Sequence, residues 1–149
     1  MERSKLANQH HETGYSCAQS VACVFPEVTK LPIEQLAALC GAFGGGFRAD
    51  ELCGVVSGAA VVIGARWPHS RPEDLAAKDL AAEKMQDFHR RFLSRFPSLV
   101  CRDLKPQAPD FQASDPDLQG LKPCSVYIAA AVEILEEMLA GEAPEGARP

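Results

Sequence analysis

The sequence has no basic run interleaved with aromatic residues, and its overall charge is acidic. Its 149 residues carry a formal net charge of -5, with a pI near 5.3 and 7% aromatic residues. Nucleic acids and anionic membrane surfaces recruit proteins through clustered lysine and arginine side chains. The composition therefore argues against nucleic acid or an anionic membrane as the main partner.

Long hydrophobic runs are also missing. The longest apolar segment covers about residues 54–65, contains glycines and falls far short of the roughly 20 residues of a membrane span. Residues 1–11 lack the apolar segment of a signal peptide. We therefore expect no membrane insertion and a cytoplasmic location. In that compartment six cysteines more often serve metal binding, redox chemistry or core packing than structural disulfides.

The sequence shows no strand-like alternation and no internal repeat, which favours an all-α fold, a compact bundle of about five to six helices. We expect one domain over residues 1–149, with a mobile loop at about 105–122 and a frayed tail at 141–149. Ser16, Asp50 and Ser70 are predicted N-caps, the last in a capping box with Glu73. Caps, prolines and periodicity predict helices at about 4–13, 17–25, 32–43, 51–66, 71–96 and 123–139.

Three cysteines, Cys17, Cys53 and Cys124, share one local setting, the first turn of a predicted helix. There a sulfur is close to unpaired N–H groups and to the positive end of the helix dipole, which favour thiolate over thiol. Each cysteine also begins the apolar face of its helix, so the three thiols are expected to point inward at one end of the bundle. Cys101, in a predicted turn, completes the group if the loops fold over it. We expect the lowest pKa at Cys53.

The spacing of the cysteines argues against a familiar metal motif. The chain has no C-x₂-C pair, so any metal ligands would come from well-separated elements. Cys23 and Cys40 have apolar neighbours and are predicted to be core residues, and core packing is the alternative explanation for the other four. His10 and His11 lie on a polar helix and are predicted to be surface residues rather than ligands.

Two glycine features have structural and functional interpretations. Gly44–Gly46 with Arg48 could form a backbone nest for an anion, but a flexible turn between closely packed helices is the favoured interpretation. Gly54 and Gly58, four residues apart, predict close contact of their helix with a neighbour. Walker and dinucleotide-binding fingerprints are absent from the sequence.

Several stretches, in order, resemble a known family. They are GYSCAQSV at residues 14–21, the glycines at 44–46, CGVVSG at 53–58, CRDL at 101–104, and a cysteine at 124 that begins a helix. Together they resemble the C-GCAxxG-C-C family of small proteins to which redox activity is attributed. The resemblance covers most of the chain. One departure is Val55, where the family usually has alanine.

The resemblance implies an all-helical fold and a site. It identifies Cys17, Cys53, Cys101 and Cys124 as the four characteristic cysteines of the family, with Cys23 and Cys40 as extras. A related domain in a multi-domain cytochrome looks to hold an iron–sulfur cluster. Cluster or metal binding is therefore one implication, whereas the resemblance supplies no substrate.

The first functional hypothesis is a redox protein in which Cys17, Cys53, Cys101 and Cys124 converge. They would bind an iron–sulfur cluster or another thiolate-bound metal, or cycle between dithiol and disulfide. In either form the protein would be a thiol-based or cluster-based oxidoreductase with an unidentified electron-transfer or thiol partner. The alternative is a non-catalytic helical binding or interaction protein whose cysteines are core residues. An apolar bundle could also form a homodimer.

Overall fold

The structure, a computed structural model, describes residues 2–107 and 124–141, and within these ranges it is all-α. The only strand-like feature of the described residues is an isolated bridge between Leu52 and Val100. A π-helical turn, Gly46–Asp50, precedes α5, and a 3₁₀ turn, Lys105–Gln107, follows α7. The helices are α1 (Glu2–Glu12), α2 (Cys17–Ala22), α3 (Pro26–Thr29), α4 (Ile33–Leu39), α5 (Gly54–Arg66), α6 (Leu75–Leu93), α7 (Cys101–Leu104) and α8 (Ser125–Ala140).

The observed starts of α2 and α5 confirm one predicted N-cap and contradict another. Ser16 is the N-cap of α2 as predicted, and it forms a capping box with Gln19. The predicted N-cap at Asp50 is wrong, because α5 begins at Gly54 and Cys53 occupies the capping position. Asp50 instead has a φ of 55° in the preceding turn, a conformation outside the helical region.

The start of α6 also differs from its prediction. The carboxylate of Asp74 accepts a hydrogen bond from the amide of Ala77, at 3.1 Å, so Asp74 caps the helix. The predicted capping box at Ser70 and Glu73 is therefore wrong. At the other end α6 stops at Leu93, before the predicted Phe96.

The end of the second helix differs from its prediction, and most of the predicted loop and tail lies outside the described residues. The second predicted helix ends at Ala22, earlier than the expected boundary before Pro26, and Pro26 instead begins the short helix α3. Residues 108–122 of the predicted loop and 142–149 of the predicted tail lie outside the described residues. None of the helices within 2–107 and 124–141 is long and apolar enough to cross a membrane.

Helices α2 and α5 pack against each other at the centre of the fold, and two glycines allow this. A Cβ atom at Gly58 would lie 2.6 Å from the carbonyl oxygen of Ala18 and 3.0 Å from its Cα. A Cβ atom at Gly54 would lie 3.1 Å from the Cβ of Cys17. The prediction of close helix contact at these glycines is confirmed. The contact places the starts of α2 and α5 side by side.

The largest hydrophobic cluster of the described residues joins α5 to α6 and α8. Phe88 and Phe92 of α6 are fully buried, and the ring of Phe92 lies 6.4 Å from that of Tyr127 on α8. Burial of these rings contributes on the order of 2–3 kcal/mol each to folding. This packing fixes the start of α8 next to the starts of α2 and α5.

Candidate functional site

Cys17 is the first residue of α2, and its position depends on the capping box. The hydroxyl of Ser16 accepts a hydrogen bond from the amide of Gln19, and the Gln19 side chain accepts one from the Ser16 amide at 2.9 Å. The side-chain amide nitrogen of Gln19, Nε2, also donates to the carbonyl oxygen of Ala37 on α4. The local sequence thus fixes the helix start that carries the thiol.

Two backbone hydrogen bonds next to the isolated Leu52–Val100 bridge hold Cys53 and Cys101 near each other. The amide of Cys53 donates to the carbonyl oxygen of Leu99 at 2.8 Å, and the amide of Cys101 donates to that of Glu51 at 2.6 Å. Cys53 is the N-cap of α5, and Cys101 is the first residue of α7. Both side chains are buried. The pair joins two segments that lie far apart in the sequence.

Gly46 allows this pairing because no other residue fits its place. Its φ is 61°, and a Cβ atom there would lie 2.5 Å from the Glu51 amide nitrogen and 2.9 Å from the Cβ of Cys101. The favoured interpretation of the glycine run, a turn that permits close packing, agrees with this contact.

Cys124 is the N-cap of α8. The amides of Tyr127 and Ile128 donate to its carbonyl oxygen, each at 3.1 Å. The hydroxyl of Tyr127 donates to the carbonyl oxygen of Leu104, which ties the start of α8 to the end of α7. The Cys124 side chain is half-buried, as is that of Cys17.

All four cysteines singled out in the sequence line one small cavity. Its volume is about 90 Å³, and its wall contains Cys17, Cys53, Cys101 and Cys124 together with Gly45, Gly54, Leu104, Lys105 and Tyr127. Two thiols are half-buried and two are buried, so the wall has a more accessible side and a buried side. The structure therefore brings the predicted residues together at one end of the helices.

The two half-buried thiols interact directly. Their sulfurs lie within 4.8 Å of each other, and hydrogen bonding from the Cys17 thiol lowers the pKa of Cys124 to about 7 in spite of burial. The nearby ammonium group of Lys105 also lowers the pKa of Cys124. The same hydrogen bond, together with burial, raises the pKa of Cys17 well above its usual range. One thiol of the pair thus ionises near neutral pH while the other keeps its proton.

The expectation that Cys53 has the lowest pKa is wrong. Burial raises the pKa of Cys53 to about 12, although the neighbouring amides of Val55 and Val56 act in the opposite direction. Burial also raises the pKa of Cys101, with Lys105 opposing it. Desolvation of the charged form outweighs the helix start at Cys53 and the charge of Lys105 at Cys101.

Sequence reasoning missed Lys105, which lies beside two of the thiols. Its ammonium group makes an ion pair with Asp50 at 3.0 Å and acts on both Cys101 and Cys124. Its spacing of four residues from Cys101 was the available signal, since residues four apart share one side of a helix.

His11 was also missed, because its polar neighbours predicted a surface position. The side chain is half-buried, and one ring nitrogen lies within 4.8 Å of the sulfurs of Cys17 and Cys124. Within residues 2–107 and 124–141 these three residues form the one group of potential metal-ligating atoms that lie this close together. Cys53 and Cys101 share the cavity but are not part of that group.

Cys23 and Cys40 lie elsewhere, as predicted. Both are buried in a separate cluster with Ala22, Leu36 and Ala37. Burial raises the pKa of Cys23 to about 11. The two residues do not line the four-cysteine cavity.

One of the three comparisons with known proteins gives a match, to a family model. No curated protein and no solved structure matches the chain. The family model described as "Putative redox-active protein (C_GCAxxG_C_C)" matches residues 15–138, a range that contains Cys17, Cys53, Cys101 and Cys124. Because this match spans most of the sequence, the chain belongs to the C_GCAxxG_C_C family.

Proposed function

We propose that the protein exchanges electrons with a thiol or disulfide partner through Cys17 and Cys124. The observation that carries this proposal is that the two sulfurs lie within 4.8 Å of each other in the wall of the cavity. Hydrogen bonding from Cys17 lowers the pKa of Cys124 to about 7, which favours its thiolate. A thiolate is the attacking species in thiol–disulfide exchange, and an attacking thiol with a pKa near the ambient pH reacts fastest. Cys124 is therefore the proposed nucleophile and Cys17 the resolving cysteine.

The proposed reaction balances as a two-electron exchange. The Cys124 thiolate attacks one sulfur of a partner disulfide, forming a mixed disulfide and releasing the other partner sulfur as a thiolate. Cys17 then loses its proton to that thiolate and attacks the sulfur of Cys124. A Cys17–Cys124 disulfide forms and the second partner sulfur leaves, so the partner is reduced by two electrons.

Two features of the site support this role over simple core packing. Both thiols of the pair are half-buried and line a cavity, whereas Cys23 and Cys40 are enclosed in an apolar cluster. Lys105 adds a positive charge next to Cys124, which stabilises a thiolate there. A cysteine retained only for packing requires neither feature.

The experiment uses Cys17→Ser with oxidised glutathione as the disulfide. Without its resolving cysteine, the variant should accumulate a mixed disulfide of Cys124 with glutathione. The wild-type protein should instead go on to form the internal Cys17–Cys124 disulfide. Cys40→Ser is the matched control and should behave like wild type. Glutathione on several cysteines at equal rates, or none on Cys124, would contradict the proposal.

A second candidate function is binding of an iron–sulfur cluster by the same four cysteines, and the cavity favours it. Four thiols line one space of about 90 Å³, and two of them begin the long helices α5 and α8, whose N-termini favour negative charge. Cysteine thiolates are the usual ligands of such clusters, so the residue types fit. A bound cluster would supply one-electron transfer.

Iron and sulfide analysis of protein purified without oxygen distinguishes the two candidate functions. Iron and inorganic sulfide in the protein, together with visible absorption, would establish the cluster, and serine at any of the four positions should then remove both. Protein free of iron and sulfide, with an intact Cys17–Cys124 exchange reaction, would support the thiol mechanism. The Cys23→Ser variant serves as the control in both cases.

A further inference from the structure

We propose that His11, Cys17 and Cys124 bind a single thiophilic divalent ion such as Zn²⁺. The potential ligand atoms of these residues all lie within 4.8 Å of one another. In a tetrahedral zinc site with the usual bond lengths, ligand atoms are about 3.5–3.8 Å apart. Small side-chain movements would therefore complete the site. His11 lies before residues 15–138, so this ligand is not part of the matched family region.

The histidine ring is oriented for this role by the backbone. Its Nδ1 atom lies 3.0 Å from the carbonyl oxygen of Tyr15. A carbonyl oxygen can only accept, so this contact places the ring hydrogen on Nδ1 and leaves the lone pair of the neutral ring on Nε2. Metal-binding histidines are commonly held in this way, with one nitrogen bonded to a carbonyl oxygen and the other on the ion.

The three residues come from elements that the fold fixes. His11 lies in the last turn of α1, Cys17 begins α2, and Cys124 precedes α8. The side chain of Asn8 on α1 donates to the carbonyl oxygen of Ser125 at 3.4 Å, which links α1 to the start of α8. Three protein ligands leave a fourth tetrahedral position open, as in zinc sites that bind water or substrate.

This inference goes beyond the proposed function, although the two share Cys17 and Cys124. The same two sulfurs cannot bind an ion and form a disulfide at once. An occupied site would therefore hold the pair reduced and protect it from oxidised glutathione. Metal availability would then control whether the redox pair can react.

The test is titration of reduced, metal-free protein with Co²⁺ without oxygen, since Co²⁺ gives visible thiolate bands where Zn²⁺ is colourless. We expect one Co²⁺ per chain, and His11→Gln should weaken binding by about tenfold or more. His10→Gln, which removes the adjacent histidine of α1, should bind like wild type. His11→Cys should restore binding, because a thiolate can replace the imidazole as ligand.

Equal Co²⁺ affinity in wild type and His11→Gln, at equal helical content by circular dichroism, would overturn the inference. So would the absence of Co²⁺ binding to the wild-type protein. The glutathione experiment on metal-free protein is independent of these results. A working exchange pair with His11-independent Co²⁺ binding refutes only the metal site, and His11-dependent binding without exchange refutes only the proposed function.

Discussion

The sulfurs of Cys17 and Cys124 lie within 4.8 Å of each other, although the two residues lie near opposite ends of the described chain. Their helices, α2 and α8, begin at the same end of the fold because both pack against α5. Hydrogen bonding within the pair lowers the pKa of Cys124 and raises that of Cys17, so the two thiols differ chemically. Cys124 ionises readily and Cys17 does not, which is the asymmetry that a nucleophile and a resolving cysteine require.

The first prediction concerns the pH dependence of alkylation. Because the pKa of Cys124 is about 7, its reaction with iodoacetamide should rise as pH increases through 7 and level off above about 8. Cys53, with a pKa of about 12, should stay slow over this whole range. Peptide mass spectrometry after short labelling measures both rates. Faster labelling of Cys53 than of Cys124 at pH 7 would contradict the assignment.

Replacing Lys105 should change that profile. Lys105→Gln removes the positive charge beside Cys124, so the pKa of Cys124 should rise, with slower alkylation at pH 7. The effect is expected to be modest because the Lys105 side chain is half exposed, at 51%. Lys105→Arg keeps the charge and should leave the profile nearly unchanged. A profile of Lys105→Gln that overlays wild type would show that Lys105 does not act on the thiol.

The contact between α2 and α5 gives a prediction about stability. Gly58→Ala would place a Cβ atom 2.6 Å from a backbone oxygen of Ala18, so it should lower the free energy of unfolding by about 1–3 kcal/mol. Gly64→Ala, in the same helix, meets no atom within 4 Å and should be neutral or stabilising by up to about 1 kcal/mol. Urea unfolding measures both. Equal effects of the two substitutions would argue against the close contact.

The helix caps give a further pair of variants. Ser16→Ala removes the capping box of α2 and should cost about 1 kcal/mol of unfolding free energy. Ser70→Ala should change this free energy by less than about 0.5 kcal/mol, because α6 is capped by Asp74 instead. Chemical denaturation compares the two. A larger loss at Ser70 than at Ser16 would mean that α6 begins earlier than described.

Much of this arrangement could be predicted from the sequence. Hydrophobic periodicity and the absence of strand patterns predicted an all-α fold, and the helix starts at Cys17 and Cys124 predicted where two of the thiols lie. Glycine spacing predicted the close contact of α5. These features depend on local sequence, so they can be recognised without knowledge of the tertiary structure.

The order of the pKa values and two of the neighbouring residues could not be predicted. Whether Cys53 becomes a thiolate depends on two opposing effects, since burial raises its pKa and the amides at the start of α5 lower it. Burial is set by how distant segments pack. His11 appeared to be a surface residue because its own helix is polar, yet α2 and α8 bring two sulfurs next to it. Such contacts arise only when the chain is folded.

The most direct test of the central claim is disulfide mapping of the metal-free protein after mild oxidation with oxidised glutathione. We expect one dominant internal disulfide, between Cys17 and Cys124, with Cys23 and Cys40 still reduced. A dominant Cys53–Cys101 disulfide, or no internal disulfide while all thiols remain intact, would contradict it.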